Sequence, residues 1–165
     1  NAQPCVPCMQ VGHLAGDSGV EILIGNRGTA NRIYTTTAAV ANEGTGGTSI
    51  QFGPTLQLGT TSRTDDTRSV AIFDVNGDES LDVVAGNSAA TNKVYLNPGR
   101  GAFESVTPLD ISPDTDDTRD IAVGAFDSQR VILAANAGQK NKLHFVPQQP
   151  RSVPWTTAEH LWELG

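Results

Sequence analysis

Basic residues are scarce in this sequence: eleven Lys and Arg stand against eighteen Asp and Glu, a formal charge of −7. A face that binds nucleic acid needs clustered Lys and Arg against phosphates, and the charge balance excludes that function class. Long apolar runs are missing too, since no stretch approaches the ~20 residues of a membrane-spanning helix. Cysteine is confined to Cys5 and Cys8 in "PCVPCM". A single C-x-x-C lacks the second pair of a structural zinc site, and Pro4 and Pro7 argue against the strand-to-helix setting of a redox motif. A local disulfide, a pairing with other chain and free thiols stay open. Periodic runs of helix formers are also absent. What is present is seventeen Gly and nine Pro among many Thr, Val, Ile and Asn, a composition of short strands joined by turns. The 165 residues suffice for one domain with its own core. The chain opens on Asn1 rather than Met, which reads as a processed or excerpted end.

Three stretches share one frame: "IGNRGTANRIY" (Ile24–Tyr34), "AGNSAATNKVY" (Ala85–Tyr95) and "AANAGQKNKLH" (Ala134–His144). Each has an Asn, a second Asn five positions on, a basic residue, an aliphatic residue and then Tyr or His. "TDDTR" occurs at Thr64–Arg68 and again at Thr115–Arg119, and Phe52 and Phe103 keep the same offset of 51. Val11, Val70 and Ile121 read as the strand openers of the three copies. The first copy is lengthened by "ANEGTGGTS" (Ala41–Ser49), a Gly/Thr loop. The middle copy reads as four strands, "RSVAIFD", "LDVVAGN", "NKVYLN" and "AFESVTPL". The third reads as "DIAVGAFD", "RVILAANA", "NKLHFVP" and "VPWTTAEHL". A four-stranded antiparallel unit recurring every ~50 residues is the pattern of a propeller blade. The expected fold is all-β: an N-terminal segment with the C-x-x-C (1–10), then three four-stranded antiparallel β-propeller-type blades over 11–63, 64–114 and 115–165.

The middle copy, "DTRSVAIFDVNGDESLDVVAGNSAATNKVYLNPGRGAF" (Asp66–Phe103), resembles the FG-GAP/VCBS repeat, the blade of integrin-α-like propellers. The shared features are an Arg-led inner strand, a D-x-[DN]-G-D-G-x-x-D loop, G-N, N-x-x-Y-x-N and G-x-G-x-F. The flanking copies keep the strand and Asn markers but not the acidic loop. The resemblance implies a propeller, a calcium ion in each intact loop, and roles in adhesion, recognition or assembly.

The loop residues carry their own argument. Calcium takes six to eight hard oxygens in a loose shell. Asp74, Asn76, Asp78 and Asp82 stand at positions 1, 3, 5 and 9, with the Ser80 carbonyl at position 7 and Gly77 allowing the tight turn. An EF-hand would need Glu at position 12, where this chain has Ala85. Position 6 is Glu79 where the family carries Gly, a strained choice if φ is positive there. The outer loops retain only Asp17 and Glu21, or Asp127, so one calcium is expected rather than three.

"GDSG" (Gly16–Gly19) reads as a turn, with no His and Asp placed for a serine nucleophile. "GTGG" (Gly44–Gly47) lacks the Lys of a phosphate loop. The "TDDTR" segments read as Asp-rich turns whose Arg68 or Arg119 ties to a neighbouring blade's carboxylate, or as a ligand rim. His13, His144 and His160 share no ligand spacing and suit packing or surface. Trp155 and Trp162 would cover the last blade, meet a partner or stack on a sugar.

Three blades do not close a ring that normally holds about four to eight. The open flanks would be covered by further blades of a longer chain, by a second copy making six blades, or by other subunits of a complex. The expected function is a non-enzymatic, calcium-binding module for protein interaction, adhesion or assembly, with a glycan-binding lectin as the alternative. Protein partners or further blades follow, and an extracellular or secretory or organelle lumen location where calcium is plentiful.

Overall fold

The computed structural model describes residues 8–16, 19–41, 48–60, 65–146 and 162–164. They form three four-stranded antiparallel sheets, each in chain order. The first holds β1 (Cys8–Gly12), β2 (Glu21–Gly25), β3 (Arg32–Ala41) and β4 (Thr48–Gln57). The second holds β5 (Asp66–Phe73), β6 (Asp82–Ser88), β7 (Lys93–Tyr95) and β8 (Leu109–Asp110). The third holds β9 (Thr118–Phe126), β10 (Gln129–Asn136), β11 (Asn141–Val146) and β12 (Trp162–Leu164). These are propeller-type blades packed face to face: β1 and β2 lie on β5, and β5 and β6 lie on β9. Among the described residues no helix is long and apolar enough to cross a membrane.

Two cores fill the two junctions. Leu14, Leu23, Ile33, Val70, Val83 and Phe103 meet between the first and second sheets. Ala71, Val84, Val94, Ile121, Ile132 and Val146 meet between the second and third. The second sheet is therefore covered on both faces, and this explains its unbroken "VVAG": Val83, Val84 and Ala85 are all fully buried. In β2 the run "EILIG" is equally apolar, yet burial alternates, because only one face of the first sheet is covered.

Three details differ from the sequence reading. "AFESVTPL" makes a 3-10 turn at Phe103–Ser105 and only a two-residue β8, because the buried Phe103 ring anchors the chain in the first core and draws it out of the sheet. Phe52 is not its counterpart: it lies 60% exposed in the edge strand β4, where Pro54 is tolerated. The first blade opens at Cys8, ahead of Val11. Met9 faces Ile24 as Val70 faces Ala85 and Ile121 faces Ala134. A slip of two residues keeps every side chain on its own face, so the apolar pattern alone did not distinguish Met9 from Val11 as opener.

β3 and β4 run to ten residues each and take in the ends of the inserted Gly/Thr segment at Ala41, Thr48 and Ser49, while residues 42–47 lie outside the described residues. "VPWTTAEHL", with Trp155 and His160, lies outside them as well, as do Asp17 and Cys5. Cys8 is a free thiol in β1, packed against the first core, and burial pushes its pKa up.

Candidate functional site

The acidic loop joins β5 to β6, at the edge of the middle blade. Gly77 takes φ 82° and Glu79 takes φ 69°, so position 6 does sit in the left-handed region where Glu is disfavoured. The loop folds around its own carboxylates. Asp74 Oδ1 accepts the N–H groups of Gly77 (2.6 Å) and Asp78 (3.0 Å), and Oδ2 accepts that of Glu79 (3.2 Å). Asp78 Oδ1 accepts the Ser80 N–H at 2.8 Å, and the Asn76 amide donates to Asp78 Oδ2 at 3.0 Å. Asp82, fully buried, accepts the Val75 N–H on one oxygen and the Asn97 N–H on the other, both at 2.8 Å. Burial pushes the Asp82 pKa up to about 6, despite those two donors.

The third blade reaches into the same loop. Arg130, at the start of β10, donates from Nε to the Asp74 carbonyl at 2.8 Å, and its guanidinium lies 3.6 Å from Asp74 Oδ2. It covers Gly77 so closely that a Cβ there would stand 2.8–2.9 Å from the guanidinium atoms.

The donor chemistry of Asp74, Asn76, Asp78, Ser80 and Asp82 is that of a calcium shell, all hard oxygen. The loop hydrogen bonds bring Asp74, Asn76 and Asp78 together. Among the described residues no three acidic, imidazole or thiol side chains come together to hold a metal.

The first blade shows what Asp82 does without an ion. Glu21, 2% exposed, accepts the Leu14 N–H at 2.7 Å and the Ala15 N–H at 3.0 Å. Leu14 precedes Glu21 by the spacing at which Val75 precedes Asp82, and both Leu14 and Val75 are buried. A buried carboxylate therefore closes the loop in both blades. The third blade needs none, because Asp127 (φ 46°) and Ser128 (φ 64°) close it as a two-residue turn between the paired Phe126 and Gln129.

The second candidate site is the set of blade junctions, and here the Asn frame finds its role. In each blade the second Asn caps the first: the N–H of Asn26, Asn87 and Asn136 donates to the Oδ1 of Asn31, Asn92 and Asn141. The first Asn in turn donates its amide to the carbonyl four residues on, at Ala30, Thr91 and Lys140. Between these, Gly28, Ala89 and Gly138 all take positive φ.

The capped loop then meets the Thr of the next blade's leading strand. Asn31 Nδ2 donates to Thr67 Oγ1 at 3.1 Å, and the Thr67 hydroxyl donates to Asn87 Oδ1 at 2.8 Å. One blade on, Asn92 Nδ2 donates to Thr118 Oγ1 at 2.9 Å, and that hydroxyl donates to Asn136 Oδ1 at 2.8 Å. Backbone bonds run alongside. Gly28 N–H donates to the Asp65 carbonyl and Ala89 N–H to the Asp116 carbonyl, each at 3.1 Å. Thr67 N–H donates to the Asn26 carbonyl at 3.1 Å. The result is a hydrogen-bonded relay from Asn26 to Asn141 through both junctions.

The "TDDTR" carboxylates, not its arginines, tie neighbouring blades. Asp66 takes the Arg27 guanidinium on both oxygens, at 2.5 and 3.0 Å, and Asp117 accepts from the Ser88 hydroxyl at 2.6 Å. Arg68 and Arg119 fold back onto Asp66 and Asp117 of their own segments. The Arg27 hydrogen bond holds the Asp66 carboxyl below its ordinary value. Of the histidines, His13 lies 2.6 Å from the Gly19 carbonyl, and His144 is half-buried in β11 with its pKa pushed down by burial.

Among the described residues two faces of the stack are left uncovered. Met9 on β1 is 58% exposed, although its counterparts Val70 and Ile121 are 3% and 6% exposed, and Val11 is 55% exposed where its counterparts Ile72 and Val123 are half-buried. At the other end, Leu133, Leu143 and Phe145 of the third sheet are only half-buried, where Val84 and Val94 of the second sheet are fully covered.

Comparison with known proteins places a family match on the described core. Residues 74–129 match the FG-GAP-like repeat, starting in the acidic loop and ending at the first residue of β10. No curated protein matches the chain. Among solved structures, the crystal structure of BBS1N in complex with ARL6DN, soaked with lead, is similar over 91% of this chain at 12% identity and a TM-score of 0.43. This chain spans 56% of that one.

Proposed function

We propose that this run of propeller-type blades, which carries an FG-GAP-like repeat at residues 74–129, is a non-enzymatic docking module that joins further blades or subunits through its two open faces. The observation that carries this reading is the exposure of Met9 and Val11 on a face where the counterparts of Met9 are buried and those of Val11 half-buried in the other two blades. Apolar side chains repeated on an uncovered sheet face mark an interaction surface. In a repeat stack each blade contributes its own stability and that of its interface, so an added neighbour stabilises the whole.

That rule supplies the test. A second copy of residues 58–114 appended after Gly165 would put a fourth blade behind the third, by the connection that joins the first to the second. The extended chain is expected to melt several degrees higher than the parent. An unchanged melting temperature, with the added blade open to protease, contradicts the docking reading.

In the same reading calcium is a structural ligand of the middle loop, held by Asp74, Asn76, Asp78, the Ser80 carbonyl and Asp82, and the module works outside the cytosol. The support is the all-oxygen donor set and the cost of keeping an ionised Asp82 buried, which a cation would offset. Calorimetric titration is expected to find one calcium per chain, lost in Asp74→Asn/Asp78→Asn. Absence of binding at millimolar calcium would remove the ion from the account and leave the docking faces standing.

A further inference from the structure

The relay of Asn and Thr side chains does not end inside the third blade. Asn31 and Asn92 are 7% and 8% exposed, each with its amide on the Thr hydroxyl of the following blade. Asn141 holds the same place in its loop and makes the same cap onto the Asn136 N–H, at 2.9 Å, but it is exposed. Among the described residues no acceptor meets its Nδ2. Beside it Gly138 takes φ 74°, as Gly28 takes 68° and Ala89 takes 56°. The loop that twice receives a leading strand is thus formed a third time, with no described leading strand on it.

The sheet behind that loop repeats the pattern. Ala122 faces Leu133 as Ala71 faces Val84, each pair three and more residues ahead of the first Asn of its loop. Ala71 and Val84 belong to the core against the third sheet, whereas Ala122 is exposed and Leu133 half-buried. Apolar face and polar rim continue, in register, the interface that already holds the first three blades together.

We propose that the outer face of the third blade, rimmed by Asn136, Gly138 and Asn141, docks one further blade of the same repeat type and selects one whose leading strand carries a hydroxyl residue at the place of Thr67 and Thr118. This rests on the docking reading and sharpens it. The Asn141 amide donates to that hydroxyl, the hydroxyl donates to the first Asn of the incoming blade, and the Gly138 N–H meets a carbonyl two residues ahead of the hydroxyl residue. An occupant without the hydroxyl leaves the Asn141 amide buried and unpaired, a cost that discriminates between blades.

A second copy of this chain does not satisfy the rule. Cys8 faces Gly25 as Ser69 faces Gly86. Counting back two residues from Ser69 reaches Thr67, while counting back two from Cys8 reaches Val6. By that count the sequence offers an aliphatic residue where the relay needs a hydroxyl.

The test is a double-mutant cycle in the four-blade chain, between Asn141→Asp and Thr→Val at the appended copy of Thr67. Asn141→Asp keeps the oxygen that caps Asn136 and replaces the outward amide donor by a charged carboxylate oxygen, which only accepts, and the reference cycle carries the same change. The reference cycle pairs Asn92→Asp with Thr118→Val at an existing junction. Urea unfolding is expected to give coupling of about fivefold or more in the unfolding equilibrium for both pairs. Coupling at Asn141 within about twofold of none, in an extended chain that is still stabilised, overturns the hydroxyl selection and leaves docking intact. An extended chain that gains no stability overturns both. Sedimentation of the parent chain gives the independent arm: a monomer is expected, and a tight dimer indifferent to Asn141→Asp would make the second copy the occupant and overturn the proposal.

Discussion

At the scale of single residues, the acidic loop shows how much a residue list leaves undecided. Its donors and their order are visible in the sequence, and so is the anomaly at Glu79, which the φ of 69° makes concrete. The direction in which each carboxylate points is not visible. Asp82 turns to the N–H groups of Val75 and Asn97, one seven and the other fifteen residues away, and no local pattern encodes the second. Glu21 carried the missing signal, because a carboxylate surviving in a loop without the rest of the motif points to a structural duty. Replacing Glu79 by Gly tests the strain directly. A non-Gly residue in the left-handed region costs ~1–2 kcal/mol, partly offset by the extra freedom Gly brings to the unfolded chain, ~0.5–1 kcal/mol. Glu79→Gly is expected to stabilise by up to about 1 kcal/mol in urea unfolding and to tighten calcium. A clear loss of stability would mean that the Glu79 side chain contributes contacts that outweigh its backbone.

At the scale of elements, the junction between the first two blades carries a pH dependence of definite sign. The Arg27 guanidinium lowers the Asp66 pKa in the folded state. A carboxylate depressed in this way contributes stability above its unfolded pKa, ~3.9, and the contribution is lost as pH falls through the lower folded value. Arg27→Gln removes the first cause of that shift. Its stability is expected to fall less steeply than that of the parent between pH 5 and pH 3, measured by urea unfolding at each pH. Equal slopes would show that the pair does not couple to folding. The strands themselves were largely legible, because β-branched runs bounded by Gly, Asn and Asp leave few alternatives. Two failures have physical causes. Phe103 reads as a strand residue by type, yet its burial in the first core pulls "AFES" into a turn. The start of β1 is ambiguous by two residues because the side-chain period of a strand is two. The Asn frame was legible as a repeat, but its Thr partners lie 36 and 26 residues away, beyond any local reading.

At the scale of the whole molecule, the account rests on one asymmetry among the described residues: a blade core that is closed twice within the stack and open at both of its ends. The middle sheet, apolar on both faces, is what an interior blade looks like, and the first sheet has the same apolar composition with one face uncovered. The most direct measurement compares Lys substitutions at matched positions. Met9→Lys and Val11→Lys are expected to change the stability of the chain by no more than about 0.5 kcal/mol in urea, as on an ordinary surface. Val70→Lys or Ile121→Lys, at the buried counterparts of Met9, should cost several kcal/mol or prevent folding, because an ammonium would be buried without a partner. A loss at Met9 and Val11 as large as that at Val70 and Ile121 would mean that the face is already covered within the chain, and the docking account would fall.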